Sequence, residues 1–352
     1  MNPEDAGIIG LLQQPAGWTT AAAQDAESIL SSRVRLARNL QRYNFPDRCR
    51  EAERQEILEF SREQALKVNY FKGASFFSLD GISRLGKKAL EERRIASSDL
   101  VDQPQAGVLI SPEQNVSLMI NEEDHLRLQT IFPGLDLLEA FRIADQVDDQ
   151  LQDRMEVAFV PEHGFLTACP SNLGTGLRAS VLMHLPVLAL SDQMETTIEQ
   201  LSQKGIMVRG AYGEGSRVKA SLFQFSNRTS LGKSELEIVD EVEQAARTLL
   251  EDERKQGDEM WSKNRPELED RVFRARAILS QARVLSLDEF LSLWSAVRMG
   301  IGLGLVNQPN LGGLNRMLFT MQPAHLQFAC DRTMDPAQED IERAARVREF
   351  FA

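Results

Sequence analysis

Long apolar runs are missing from this chain: none approaches the ~20 residues that a membrane-spanning helix requires. The N-terminal stretch also lacks a basic segment followed by an apolar one, so no secretory leader is expected. Cysteine is scarce. Cys49, Cys169 and Cys330 are odd in number and far apart, which argues against a disulfide framework and a C-x-x-C metal site and fits a reducing cytoplasm. Positive charge is in deficit. A formal net charge of −12 disfavours nonspecific nucleic-acid binding, although it leaves room for a local basic pocket. The four histidines show no metal-ligand spacing.

What is present suffices for two domains, since a single core rarely grows past roughly 250 residues and the chain has 352. Residues 1–27 carry little pattern and are expected to form a mobile or loosely docked arm. From 28 to 255, short β-like runs alternate with helices. Strands are expected over 32–36, 107–110, 116–120, 155–160, 178–183, 207–209 and 220–225, and helices over 51–68 and 234–253. Ser234 and Glu237 form a capping-box pattern for the second helix. From 256 to 352 the pattern is helical only, with Pro266 at a first-turn position, Ser286 as a cap and Asp335-Pro336 opening the last helix.

Four segments carry chemistry. In the run 31–38, Arg33 and Arg35 lie two apart in a strand-like stretch and project from one face, opposite Val34 and Leu36. They read either as solvated arginines on a half-buried strand or as a guanidinium clamp for an anion. Glu122, Glu123 and Asp124 follow an apolar strand in N-E-E-D-H-L-R (121–127). Three adjacent carboxylates read as a solvated turn, or as a general base with a tuned pKa. Cys169 precedes a turn of small polar residues and a strand led by Arg178, where it is either a small buried hydrophobe or a thiol near positive charge. After Arg209, glycines at 210, 213 and 215 predict a loop able to close over a ligand. The near match N-R-T-S-L-G-K-S (227–234) lacks the first glycine of a phosphate loop, and Ser234 reads better as a helix cap.

Taken together, the runs 32–38, 121–127 and 169–180 (C-P-S-N-L-G-T, then R-A-S) resemble the phosphagen kinase family over residues 29–240, and within it the branch of bacterial protein-arginine kinases. Arg33 lies too near the N-terminus for the helical domain that precedes it in small-molecule members, and Q-P-A-H-L-Q (322–327) resembles the branch's added domain. The resemblance implies an α+β catalytic domain, an antiparallel sheet flanked by helices of the phosphagen kinase/glutamine-synthetase type, with an all-α C-terminal domain. It implies ATP and Mg2+ as cofactors and phosphorylation of arginine side chains on proteins, marking them for quality control or regulating a heat-shock repressor. Implied partners are protein substrates with exposed arginines, a zinc-binding activator, a heat-shock repressor, a Clp unfoldase and a second copy of the chain in a homodimer.

Position by position, the resemblance assigns Arg33, Arg35, Arg127, Arg178 and Arg209 to the ATP phosphates and Arg94, where the family usually has histidine, to stacking on adenine. It assigns Glu123 to orienting and deprotonating the guanidinium, Cys169 to a place beside the substrate, and Glu122 to water on magnesium. A gapless match puts Arg217 at the family's second carboxylate and Tyr212 at its loop arginine. The protein-arginine kinase pattern offers Glu214, which is taken as catalytic. In the last helix the branch often carries R-D-x-x-R-A, linked to phosphoarginine recognition. Here the run reads Glu339, Asp340, Ile341, Glu342, Arg343, Ala344. The exchange at Glu339 removes a phosphate donor and adds repulsion, which counts against allosteric phosphoarginine binding by Asp340 and Arg343. Two other functions remain open at this point: a kinase for a free guanidino metabolite, and a catalytically silent adaptor.

Overall fold

A computed structural model of the chain describes residues 5–19, 25–191, 193–211 and 218–352. Glu214, Tyr212 and Arg217 lie outside the described residues. In chain order the elements are α1 (Ala6–Gln13), β1 (Ile29–Arg38), α2 (Glu51–Ala65), β2 (Ser75–Ser78), α3 (Arg84–Glu92), α4 (Ser98–Val101), β3 (Gly107–Ile110), β4 (Val116–Ile120) and β5 (Leu126–Pro133). There follow α5 (Leu137–Gln152), β6 (Phe159–Val160), β7 (Gly164–Phe165), β8 (Leu177–His184), α6 (Pro186–Leu190), α7 (Met194–Gln203), β9 (Ile206–Gly210) and β10 (Leu222–Asn227). Helices α8 (Glu235–Gln281), α9 (Leu287–Gly302), α10 (Leu311–Thr320), α11 (Pro323–Ala329) and α12 (Pro336–Phe351) complete the chain.

Eight strands form one antiparallel sheet in the order β2-β3-β4-β5-β1-β8-β10-β9. Its two faces differ because side chains alternate along each strand. Val34, Leu36, Leu128, Ala179, Val181, Phe223 and Phe225 point one way, into a core closed by α2, α5 and α8. Arg33 and Arg35 point the other way. That second face is covered at one end by a cluster joining Ile131, Leu182 and Leu222 to Trp18, α9, α10 and α12. Over β3 and β4 it is covered by α1, α3 and α11. The arginines occupy the part between. This is the α+β sheet with a helical C-terminal region that the resemblance implies.

Several expectations need correction. Residues 5–19 are not loosely docked: Ile8 is 0% and Trp18 2% exposed, and the Trp18 ring meets Phe319 edge-on at 4.8 Å between centroids. The strand expected over 155–160 shrinks to Phe159–Val160, because Met155 still belongs to the turn ending α5, its N–H donating to Leu151 O at 2.9 Å. Residues 219–221 form a 3-10 turn with Ala220 at φ +58°, so the last sheet strand starts at Leu222. The helix expected over 234–253 continues to Gln281 with a break at Asn264 (φ −130°). Pro266 explains the break, since it has no N–H to donate and its ring clashes with the preceding turn. Glu253 fastens this long helix to α6, just beyond the end of β8: its carboxylate accepts from the N–H groups of Val187 and Leu188 at 2.8 and 2.9 Å.

Arg38, the last residue of β1, is a structural arginine. Its Nε and Nη2 donate to Asp148 Oδ2 at 3.0 and 2.7 Å, its Nη1 donates to Ala37 O and Thr175 O, and its guanidinium lies 3.5 Å from the Phe165 ring centroid. Both partners of the ion pair are buried. Truncating one member of such a pair strands a charge in the interior, so Arg38→Met is expected to cost ~3–5 kcal/mol of stability in denaturant titration. A loss below ~1 kcal/mol would show the pair to be dispensable.

Candidate active site

The sheet register gathers the arginines. Arg35 of β1 sits directly across from Arg178 of β8, and Ala37 across from Arg127 of β5. On the far side, Ser226 pairs with Ser180 and Met207, while Arg209 pairs with Gln224. Direct partners share a face, so Arg33, Arg35, Arg127, Arg178 and Arg209 all project from the same side of the sheet. Arg35, Arg127, Arg178 and Arg209, one from each of four strands, line a cleft of ≈ 260 Å³ with Asp99, Glu123, Cys169, Ser171 and Asn172. Arg33 and Arg94 are set behind it, close enough that the charge of Arg94 acts on Arg33.

This concentration of like charge is unfavourable in the protein alone. Burial, then repulsion from Arg94, Arg178 and Arg127, brings Arg33 down to about 9. Burial followed by repulsion from Arg33, Arg127 and Arg178 lowers Arg35 well below the usual arginine range. Arg178 is lowered by burial and by Arg209 and Arg127. Arg178 Nη2 is held by Met207 Sδ (3.2 Å) and Ser226 Oγ (3.1 Å), and Arg33 Nε by Ser180 Oγ (3.5 Å), all neutral acceptors. The buried Nε atoms of Arg35 and Arg178 have no hydrogen-bond partner. Donors left over on several converging cations suit a polyanion with many oxygens, as a triphosphate has.

The three adjacent carboxylates are separated by a tight hairpin between β4 and β5. Asn121 adopts φ +60°, a left-handed conformation asparagine tolerates, and its side chain donates to Arg54 O and Gln105 O at 2.8 and 2.7 Å. The loop closes through Asn121 N–H to His125 O and Glu122 N–H to Asp124 O. Each carboxylate then goes its own way. Glu122 turns inward with a side-chain exposure of 0%, accepting from Ser97 Oγ (2.6 Å), from the Glu123 N–H (2.8 Å) and from Arg127 Nη1. It therefore positions Arg127. Asp124 turns inward on the other side, where Asn39 Nδ2 and the Ala168 N–H each donate to it at 2.6 Å. Glu123 alone faces the cleft, 42% exposed at its side chain, with Arg127 Nη2 3.1 Å from its Oε2. Its pKa is raised by burial, against the pull of Arg127 and with help from Asp124 and Glu122.

Cys169 is brought to the same cleft by two latches. Asp124 ties Ala168 to the hairpin, and Asn39 links both by donating to Leu166 O and accepting from the His125 N–H at 2.9 Å. His125, brought down to about 4 by burial, is neutral and accepts from the Leu40 N–H at its Nδ1 (3.0 Å). Glycine is required on the strand side. A Cβ at Gly176 would stand 2.6 Å from Ala37 O, and one at Gly174 would stand 2.8 Å from Ser230 O. The Cys169 Sγ is partly exposed and lies 3.1 Å from Ser171 Oγ.

Asp99, Ser97, Asn39 and Ser171 were given no role from sequence, and Asp124 was read only as one of three adjacent carboxylates. The only signal for them was position: Asp124 inside N-E-E-D-H and Ser171 inside C-P-S-N. Among the described residues no group of three or more His, Cys, Asp or Glu side chains converges as a metal site. Arg343, in the last helix, is a buried staple. Its Nε donates to Met321 O (2.9 Å), and its Nη1 to Leu285 O (2.9 Å) and Asp340 Oδ1 (2.6 Å). These contacts engage its Nε and Nη1 within the helical region.

In the role of base that the resemblance assigns to it, the Glu123 carboxylate must be ionised, and its raised pKa places that ionisation above the usual glutamate value of 4.5. Turnover is thus expected to rise with pH through a kinetic pKa above 4.5. Glu123→Gln is expected to abolish that limb and lower kcat by about 10²–10⁴-fold with ATP affinity kept. Normal turnover in the variant would remove Glu123 from the chemistry.

Comparison with known proteins gives a consistent picture. Residues 57–256 match the family described as "ATP:guanido phosphotransferase, C-terminal catalytic domain", and residues 265–352 match "Protein-arginine kinase McsB C-terminal domain". The chain is 42% identical to a protein-arginine kinase of Symbiobacterium thermophilum over 94% of this chain and 95% of that one. It is 39% identical to a protein-arginine kinase of Bacillus subtilis over 95% and 93%. Among solved structures, a lombricine kinase shares the fold at TM-score 0.57 and 24% identity, covering 69% of this chain and 70% of that chain. The duplicated taurocyamine kinase of Schistosoma mansoni does so at TM-score 0.60 and 24% identity, covering 79% and 44%. Sequence, fold and cleft place this chain in the protein-arginine kinase family, a branch of the ATP:guanido phosphotransferases.

Proposed function

We propose that the protein transfers the γ-phosphoryl group of ATP to the guanidinium of arginine side chains on other proteins. The observation that carries this reading is the meeting of four arginines from four strands with the outward carboxylate of Glu123 and the thiol of Cys169 in a single cleft. A guanidinium is a poor nucleophile while it holds its full complement of protons, because its pKa exceeds ~12. Glu123 orients the incoming side chain and takes one proton from it. The freed nitrogen attacks the γ-phosphorus, the bond from that phosphorus to the bridging oxygen breaks, and ADP departs with the electron pair.

Arg35, Arg127, Arg178 and Arg209 hold the phosphate oxygens and offset the charge that spreads during transfer, with Arg33 behind them. Arg94 is assigned to the base. Positioning and charge neutralisation account for most of what phosphoryl transfer needs from a protein. Magnesium bound to the nucleotide would supply further neutralisation. Cys169, which lines the cleft, is assigned a place beside the substrate guanidinium by resemblance, and Glu214 is assigned as a second carboxylate in the same way. The family resemblance also supports a place in protein quality control, with a zinc-binding activator, a heat-shock repressor and a Clp unfoldase as partners.

The test is direct. The protein is incubated with Mg-ATP and either an unfolded arginine-containing protein or free arginine, and products are read by mass spectrometry under conditions that preserve acid-labile phosphate. Phosphoarginine within the polypeptide is the expected outcome. Phosphate on free arginine alone would make the protein a metabolite kinase, and none on either acceptor would make it a nucleotide-binding adaptor.

A further inference from the structure

The last residue of α3 caps a helix that lies more than two hundred positions later. Glu92 Oε1 accepts from the Ala324 N–H at 3.1 Å, and its Oε2 accepts from the His325 N–H at 3.2 Å. The ring Nδ1 of His325 lies 2.8 Å from the same Oε2. Both side chains are 4% exposed. All three contacts join the helical C-terminal region, through the start of α11, to the catalytic sheet's flank.

The residues just after Glu92 make this attachment consequential. The backbone turns at Arg94, which adopts φ +61°, a conformation that side chains with a Cβ rarely take. The corner closes by the Ile95 and Ala96 N–H groups donating to Leu90 O. It is held from the sheet by Arg93 Nε donating to Gln114 Oε1 (2.7 Å), Gln129 Nε2 donating to Arg94 O (2.9 Å), and Ser117 Oγ reaching Ile95 O (3.5 Å). Three residues beyond Arg94, Ser97 Oγ donates to Glu122 Oε1 at 2.6 Å, the oxygen that also meets Arg127. The corner thus delivers two things to the cleft: Arg94 beside Arg33, and Ser97 under the Glu122–Arg127 pair. Strained corners persist only where their surroundings over-determine them.

We propose that Glu92 and His325 are positioning residues for nucleotide binding, a latch through which the helical C-terminal region holds the Arg94–Ser97 corner in place. The proposal rests on the reading of the cleft as an ATP site. The latch touches neither substrate. It acts through the corner, so its loss weakens the grip on nucleotide more than it changes turnover once nucleotide is bound. A latch that merely glued two regions together would alter stability without a selective effect on ATP.

The test uses the full-length protein, with Glu92→Gln, His325→Gln and the double variant. ATP KM and kcat are measured beside ATP affinity by calorimetric titration and thermal unfolding. Each single change is expected to raise ATP KM and Kd about tenfold, within the range that residues remote from a ligand exert on coupling. The kcat at saturating ATP should stay within about twofold, and the double variant should match the more impaired single, as members of one unit do. Unchanged ATP KM and Kd in folded variants would overturn the proposal, as would a fall in kcat at constant KM. Should Glu92→Gln fail to fold, His325→Gln keeps both backbone caps of α11 and carries the test alone. Wild-type protein that binds no ATP would defeat the reading of the cleft and the latch with it. Wild type that binds ATP, with variants that match it, would defeat the latch only.

Discussion

Five guanidinium groups are forced onto one face of an antiparallel sheet, and nearly everything else in the catalytic region serves that constraint. Ladder hydrogen bonds fix the register, so Arg35 cannot move away from Arg178, nor Arg127 from the strand beside it. The opposite face supplies the compensating stability: an apolar layer running from Val34 to Phe225 packs on three helices. Repulsion on one side is tolerable because burial on the other anchors the strands, at ~25 cal/mol for each Å² of apolar surface removed from water. Natural proteins accept such local cost where function needs it.

The β4–β5 hairpin solves the opposite problem for negative charge. Glu122, Glu123 and Asp124 would repel one another if they shared a solvent-facing turn. Instead the left-handed Asn121 starts a turn that sends the outer two inward, to Arg127 and to Asn39, and leaves the middle one at the cleft. The buried pair does mechanical service. One carboxylate sets an arginine, the other sets the loop that carries Cys169. Glu123, its charge partner and the cysteine loop are thereby referenced to a single five-residue connection.

Much of this was legible beforehand because the relevant signals are local. Alternation of Arg33, Val34, Arg35 and Leu36 announced a two-faced strand, and the runs 107–110 and 116–120 coincide with observed strands. Ser234 caps a helix as its spacing with Glu237 indicates. Long-range consequences were not legible. That Arg127 lies on a strand was hidden by the charged motif preceding it, and that residues 5–19 are packed was hidden because Ile8 and Trp18 find their partners on elements distant in sequence. The inward turn of Glu122 was hidden for the same reason, since it depends on Ser97 and Arg127 meeting it in space. The hydrogen bonds of Glu92 to residues 324 and 325 have no sequence signal of any kind.

The central claim is that the arginine face is held under repulsion that a polyanion relieves. Thermal unfolding of wild type and Arg178→Met, each with and without inorganic triphosphate, tests this most directly. Removing one of the crowded charges should leave the unliganded protein at least as stable as wild type, while triphosphate raises the melting temperature of wild type far more than that of the variant. An unliganded variant clearly less stable than wild type, together with equal triphosphate shifts in both, would contradict the account.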